Sequence, residues 1–164
     1  MKNTKSKAPK VGRSRIAVKT SLIHGKGVFA AKKIKKGDAI VEYKGERISW
    51  KLAEKRHPHN PKEPNHTFYF SLEDGRVIDA KFGGNAARWI NHSCKPNCET
   101  REDCVGDKPR VFIYAKKAIK LGEELFYDYS LDVEGPITQR LKKDYECRCG
   151  AKKCRGTMLA SKKK

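Results

Sequence analysis

Three cysteines fall within eight residues near the end of the chain, in Cys147-Arg148-Cys149-Gly150-Ala151-Lys152-Lys153-Cys154, followed by Arg155-Gly156. Thiols this close in sequence belong either to a metal site or to a disulfide framework, and each dictates a different fold. The N-terminus, Met1-Lys2-Asn3-Thr4-Lys5, lacks the apolar stretch of a secretory signal, so reduced thiols and metal ligation are expected. Cys149 and Cys154 have zinc-knuckle spacing, while the single residue between Cys147 and Cys149 is tighter than the common two. Structural zinc takes four ligands, so one must come from elsewhere: Cys94, Cys98 and Cys104 are the candidates, ahead of His92. Such a site would pin the C-terminus onto the body.

The charge is as uneven as the cysteines. A chain of 164 residues suits one domain, and 38 Lys and Arg against 19 Asp and Glu give a formal net charge of +19. Residues 1–20 hold seven of the basic groups and residues 151–164 hold six, neither stretch with an acid, so 21–150 carries only +6. Residues 1–13 read as a flexible basic arm and 160–164 as a basic tail, serving either solubility or loose attraction to nucleic acid. Hydrophobic residues at 37% and fourteen aromatics supply a core and exclude wholesale disorder. No apolar run approaches the roughly 20 residues of a bilayer span, so a soluble, intracellular domain is expected.

From Arg15 the chain turns to short β-type runs punctuated by Gly and Pro. Ile16–Val18, Ala39–Tyr43, Thr67–Leu72, Val77–Asp79, Arg110–Ala115 and Glu124–Tyr127 are expected strands. Ser49 is placed to cap a short helix over 50–55, and a second short helix is expected over 85–90. Pro136 to Lys143 reads as a connector. The expected class is α+β, mainly β. Gly25-Lys26-Gly27-Val28-Phe29-Ala30 fits the dinucleotide pattern G-x-G-x-x-G/A, with Glu46 about twenty residues on. That pattern requires a helix and crossover, and the eleven residues between Gly27 and Ala39 contain the turn Lys36-Gly37-Asp38. A loop whose backbone can approach a ligand closely is the reading that remains, beside a plain tight turn.

Two further clusters concentrate polar groups beside core segments. One is Arg88-Trp89-Ile90-Asn91-His92-Ser93-Cys94-Lys95-Pro96-Asn97. The other, Gly122-Glu123-Glu124-Leu125-Phe126-Tyr127-Asp128-Tyr129, places two tyrosines two apart, on one face if the segment is a strand. Taken in order, these motifs resemble those of the SET-domain protein-lysine methyltransferases. His24–Phe29 is similar to the family's first cofactor loop, and Asn85–Asn97 resembles its R-F-x-N-H-S-C-x-P-N signature, with Trp89 at a usual Phe or Tyr. Gly122–Tyr129 resembles G-E-E-L-x-x-D-Y, and Cys147–Gly156 resembles the zinc-binding post-SET segment C-x-C-x₄-C-R-G. The resemblance covers about 14–159, and the chain is most similar to compact stand-alone bacterial members.

The resemblance implies several small β-sheets around a knot-like core, with a SET domain over 14–130, a connector over 131–142 and a post-SET zinc segment over 143–159. It implies an S-adenosylmethionine site and a lysine channel that meet from opposite faces. By the same resemblance His24, Lys26 and Gly27 would hold the methionine part of the cofactor. Arg88, Trp89, Asn91 and His92 would bind its amino-acid end and adenine, partly through backbone groups, and Leu159 would cover the adenine. Cys94, Cys147, Cys149 and Cys154 would bind structural zinc, leaving Cys98 and Cys104 as reduced thiols. Tyr129 and Tyr127 would be catalytic: Tyr129 orients the amine and the methyl group, and Tyr127, where a Phe would leave more room, restricts the product mainly to monomethyl-lysine with some dimethylation. Phe68 stands where relatives often carry a channel tyrosine.

The partner implied is a protein with an exposed lysine: a histone tail, or a bacterial DNA-binding or ribosomal protein. Localisation would be cytoplasmic in a bacterium, or nuclear and chromatin-bound in a eukaryote or in a host that received the protein as an effector. The competing class is a zinc-containing chromatin or nucleic-acid-binding module with an idle SET body. A basic histone tail would be repelled by the basic ends, so an acidic groove is expected, with Glu99, Glu102 and Asp103 as candidates.

Overall fold

Apolar runs this short, each closed by a turn, cannot make one long sheet, and in the computed structural model they make four small ones. The structure describes residues 7–12, 14–57 and 69–161, so Phe68 and the outermost residues of both basic ends lie outside it. β1 (Ile16–Thr20) and β2 (Lys26–Ala30) form an antiparallel pair with Ile16 opposite Ala30. β3 (Ala39–Tyr43) and β8 (Cys98–Val105) flank β9 (Lys108–Ala115), and β4 (Glu46–Ser49) and β5 (Tyr69–Ser71) flank β6 (Arg76–Asp79). β7 (Asn91–His92) lies parallel to β10 (Phe126–Tyr127), with Asn91 opposite Phe126 and His92 opposite Tyr127.

The six expected strands appear, longer at the ends of β1, β6 and β9 and shorter at β10, with residues 67 and 68 of one outside the described residues, and the α+β, mainly β class holds. β2, β4, β7 and β8 were not foreseen. β8 reads Cys-Glu-Thr-Arg-Glu-Asp-Cys-Val, too charged for strand propensity, and it extends because all eight residues pair in register with β9. Gly27 lies within β2 and not in a loop; a Cβ there would come within 2.2 Å of Glu124 Oε1, so close approach explains the glycine. α1 (Trp50–Arg56) starts as expected, with the Ser49 hydroxyl accepting the Leu52 N–H at 3.2 Å. The expected second helix is a 3-10 turn over Ala86–Trp89, capped by Asn85. The connector is partly helical: the Thr138 hydroxyl accepts the Leu141 N–H at 3.1 Å and starts α2 (Gln139–Asp144). Among the described residues no helix is long and apolar enough to cross a membrane.

Val28, Ile34, Ile40, Ile90, Val111 and Leu125 meet in the main core, to which every sheet gives a strand or a flanking loop. The β4–β6–β5 layer contributes Ile78, and it packs Ile48 and Val77 on Ala53 of α1 in a second cluster. The three acids proposed for a groove do not all share a face, Glu102 pointing opposite to Glu99 and Asp103. Glu99, Arg101 and Asp103 alternate with Glu102 along β8, and each acid already has a partner: Arg101 for Glu99, the Tyr114 hydroxyl for Asp103, the Glu73 N–H for Glu102.

Asp79, fully buried at the end of β6, ties this layer to α1. Its carboxylate meets His57 Nε2 at 3.0 Å, the Lys81 N–H at 3.1 Å and Arg56 Nη1 at 3.4 Å. Burial alone would raise its pKa, but the bonds from His57, Lys81 and Arg56 outweigh it and hold the carboxyl below its usual range. A depressed carboxyl contributes stability that is complete above the unfolded value, about 3.9, and is lost as pH falls through the lower folded value. Asp79→Ala should therefore lower the unfolding free energy at pH 7 by about 3 kcal/mol, read as an earlier urea midpoint. The deficit relative to the parent should shrink on acidification below about pH 4; an equal deficit at pH 7 and pH 3 would contradict this role.

Candidate active site and cysteine cluster

Segments distant in sequence meet where β7 and β10 pair. Two residues per strand cannot hold a ladder alone, so side chains complete it. Asn97 Oδ1 accepts the Phe126 N–H and Asn97 Nδ2 donates to the Glu124 carbonyl, both at 2.8 Å, while the Ser93 N–H reaches the Tyr127 carbonyl at 3.2 Å. Asn91 does the same for the glycine loop. Its Nδ2 lies 3.2 Å from the His24 carbonyl, 3.0 Å from the Lys26 carbonyl and 3.1 Å from Glu124 Oε1. Glu124 also accepts from the Ser21 hydroxyl at 3.0 Å, so one carboxylate holds both ends of the 21–27 loop.

On the outside of this loop Trp89 lies between two cations. Lys26 Nζ is 4.7 Å and the Arg88 guanidinium 5.0 Å from its ring, within cation–π range. Arg88 Nη1 donates to the Ala80 carbonyl at 3.2 Å, but Arg88 Nε is buried without a hydrogen-bond partner. Neither Lys26 nor Arg88 forms an ion pair among the described residues.

The tyrosines sit on the inner side. Tyr129 lies beyond the end of β10, yet its ring centroid is 4.9 Å from that of Tyr127. The Tyr129 hydroxyl donates to the Ile90 carbonyl at 2.6 Å, which fixes its oxygen beside the signature segment. Burial pushes the pKa of both hydroxyls upward, so both stay neutral at physiological pH. His92 Nδ1 accepts the Tyr129 N–H at 3.0 Å, so the ring proton is on Nε2, which points at Cys94 Sγ at 3.4 Å. Burial is the main cause that brings His92 down to about 4 and keeps it neutral, with Asp128 opposing.

The sulfurs of Cys94, Cys147, Cys149 and Cys154 all lie within 4.8 Å of one another. Cys94 Sγ is 3.7 Å from Cys147 Sγ and 3.8 Å from Cys154 Sγ. A tetrahedron with Zn–S bonds of about 2.3 Å has edges of about 3.8 Å, whereas a disulfide is about 2.05 Å. The donor set therefore fits a tetrahedral metal. Backbone N–H groups of Arg155, Gly156 and Cys94 point at the sulfurs of Cys94, Cys154 and Cys149 at 3.3–3.5 Å, as thiolates require. Cys98 is buried and its thiol is pushed up to about 12, and Cys104 is exposed on β8; both stand outside the cluster. Arg155 binds Asp128 through two bonds of 2.6 and 2.9 Å, which anchors the cysteine segment to the chain after β10.

Of the expected cofactor residues, His24, Lys26, Gly27, Arg88, Trp89, Asn91 and His92 come together here. Leu159 is fully buried, bridges to Leu131, and lines a cavity of about 370 Å³ with Ile137, Lys142, Arg155 and Thr157. Glu124, Asn97 and the Asp128–Arg155 pair had no role in the sequence reading. Their only signal was membership of the quoted motifs.

A glycine-containing loop, a paired-tyrosine segment and a four-cysteine cluster joined through one signature define a SET-type architecture. Residues 25–130 match the SET domain family model, and the chain belongs to that family, whose domain is a protein-lysine methyltransferase domain. It is 38% identical over 147 residues to histone-lysine N-methyltransferase set1 of Dictyostelium discoideum, covering 89% of this chain and 9% of that protein. It is 43% identical over 150 residues to histone-lysine N-methyltransferase ASHH1 of Arabidopsis thaliana, covering 87% of this chain and 29% of the relative. It is 39% identical over 141 residues to histone-lysine N-methyltransferase trithorax of Drosophila virilis, covering 85% and 4%. The chain thus spans less than a third of the length of these relatives.

Removing the carboxylate in Glu124→Ala should free the 21–27 loop by deleting partners of Ser21 and Asn91, at a cost of about 1–2 kcal/mol. Hydrogen exchange of the amides of residues 21–27 should quicken while β9 remains protected; unchanged exchange in the loop would contradict this arrangement.

Proposed function

We propose that the chain is an S-adenosylmethionine-dependent protein-lysine N-methyltransferase that adds one methyl group, and to a lesser extent two, to a lysine of a histone or another nucleic-acid-associated protein. The observation that carries this reading is the Tyr129 hydroxyl, held on the Ile90 carbonyl and packed against Tyr127. The names of the relatives, all histone-lysine N-methyltransferases, support the substrate class.

The residues fit the cofactor. Two cations beside Trp89, one with a buried N–H lacking a partner, suit a ligand with an amino-acid carboxylate. Lys26 and Arg88 would hold that end, Trp89 a flat or cationic part, and the backbone of His24 and Gly27 the chain between. The Asn91 side chain serves as the strut of the loop, and with both His92 ring nitrogens engaged, binding by His92 falls to its backbone. Leu159 would close over the adenine from the C-terminal segment. When bound, S-adenosylmethionine supplies an electrophilic methyl group on a sulfonium.

The chain's own residues prepare the acceptor. A free lysine costs about 4.6 kcal/mol to neutralise at pH 7; burial among Tyr43, Tyr127 and Tyr129 disfavours the ammonium and lowers that cost. The fixed Tyr129 oxygen orients the neutral amine, and alignment can supply several kcal/mol more. The Tyr127 hydroxyl fills space that a methylated nitrogen would need to rotate. The four thiolates of Cys94, Cys147, Cys149 and Cys154 would hold structural zinc, which ties the segment bearing Leu159 to the signature.

Mass spectrometry of a methylated peptide tests the assignment. The parent should yield mainly monomethyl-lysine, Tyr127→Phe should increase the di- and trimethyl products, and Tyr129→Phe should lose at least about a hundredfold in rate with cofactor affinity near the parent's. Dominant trimethylation by the parent would sink the Tyr127 role. Separately, the purified chain should contain about one zinc ion, and Cys149→Ser should lose it along with thermal stability and cofactor affinity. Full affinity without zinc would contradict the four-cysteine assignment.

A further inference from the structure

We propose that the loops 31–37 and 115–122 together form a docking face for the phosphate backbone of double-stranded nucleic acid. The basic ends were the part of the sequence that suggested such a partner, and the body appeared nearly balanced. The fold alters that distribution. Loop 31–37 carries Lys32, Lys33, Lys35 and Lys36 around Ile34, and loop 115–122 carries Lys116, Lys117 and Lys120 around Ile119. Ile34 and Ile119, 85 positions apart in the numbering, pair in an antiparallel bridge with reciprocal N–H to carbonyl bonds of 2.9 Å. Gly37 N–H to the Ala115 carbonyl at 2.8 Å and Gly122 N–H to the Ala30 carbonyl at 2.7 Å lock the two loops side by side.

Both isoleucines are fully buried, so each loop is anchored inward while its lysines face solvent. None of these seven lysines forms an ion pair among the described residues. The two carboxylates that flank the loops in sequence, Asp38 and Glu123, bind loop amides and other partners and pair with none of the seven ammonium groups. Asp38 binds Arg15 Nη1 and the Lys35 N–H, both at 3.2 Å, and Glu123 accepts the Lys120 N–H at 3.0 Å and Asn97 Nδ2 at 3.3 Å. Of the acids on β8, Glu102 and Asp103 lie opposite Val111 and Arg110, toward the far end of β9, and Glu99, opposite Tyr114, is paired with Arg101. The basic arm joins the body at this same face, because the Arg15 carbonyl accepts the Ala31 N–H at 2.8 Å.

Clustered, rigidly framed ammonium groups without carboxylate partners are the footprint of a polyanion. The loops carry no aromatic side chain on which an unpaired base could stack, which favours a duplex over a single strand. The two loops carry no arginine fork to read base edges, and Arg15 beside them is paired with Asp38, so binding should be independent of sequence. None of the seven lysines belongs to the site residues described above, and the role of this face does not depend on the methyltransferase reading.

The test uses the full chain and a mixed-sequence DNA duplex of about 30 base pairs, followed by fluorescence anisotropy between about 50 and 200 mM salt. The variant Lys32→Gln, Lys33→Gln, Lys116→Gln, Lys117→Gln should lose about tenfold or more in affinity, and its log–log salt slope should flatten by about 3 to 4. Its thermal midpoint should stay at the parent's value, since every substituted side chain is exposed. A second variant with Lys2, Lys5, Lys7 and Lys10 changed to Gln measures the arm by itself and should lose less. A loss below about threefold in the loop variant would overturn the proposal. So would a parent that does not bind the duplex, or one that binds polyglutamate or anionic vesicles equally well.

Discussion

The structure depends on one junction, where the segment 91–97 is bound to the segment 124–129. A parallel pair only two residues long contributes little by itself, so the junction is made by side chains that act as backbone: Asn97 on Phe126 and Glu124, His92 on Tyr129, Asn91 on the glycine loop. These groups are largely buried, and their hydrogen bonds are accordingly obligatory. Everything that concerns chemistry is attached to this junction. The Tyr129 hydroxyl is aimed from it, the Trp89 cation cluster flanks it, and Cys94 hands it to the C-terminal cysteines.

That geometry explains why the C-terminal segment can influence a site it follows by so many residues. Cys94 follows His92 by two positions, and the His92 ring bridges Tyr129 and Cys94. A second tie, Arg155 to Asp128, crosses the same gap with a bidentate pair. The buried, neutral His92 is thus a strut between the tyrosine and the cysteine cluster, and the positions of the two are mechanically linked through it.

Much of this was legible in the sequence, and the failures have physical causes. The four cysteines could be grouped because motif order selected Cys94 over Cys98 and Cys104, and the sulfur positions agree with that choice. Ser49 as a cap was readable because capping is a local interaction. β8 was not, because its strand state comes from pairing with β9 and runs against its composition. Gly27 was read as allowing close approach of a ligand, and the group the fold brings against it is the Glu124 carboxylate, nearly a hundred residues later. The acidic groove failed on period two, since Glu102 faces opposite Glu99 and Asp103. The lysine face around Ile34 and Ile119 could not be read at all, because two unremarkable loops become one surface only when the chain closes.

The most direct measurement of the central claim is transfer of a labelled methyl group from S-adenosylmethionine into a protein lysate containing histones, followed by identification of the labelled residue by mass spectrometry. The account predicts label on lysine side-chain nitrogen, mainly as the monomethyl form, in a histone or another nucleic-acid-associated protein. Tight cofactor binding with no transfer to any lysine would contradict it.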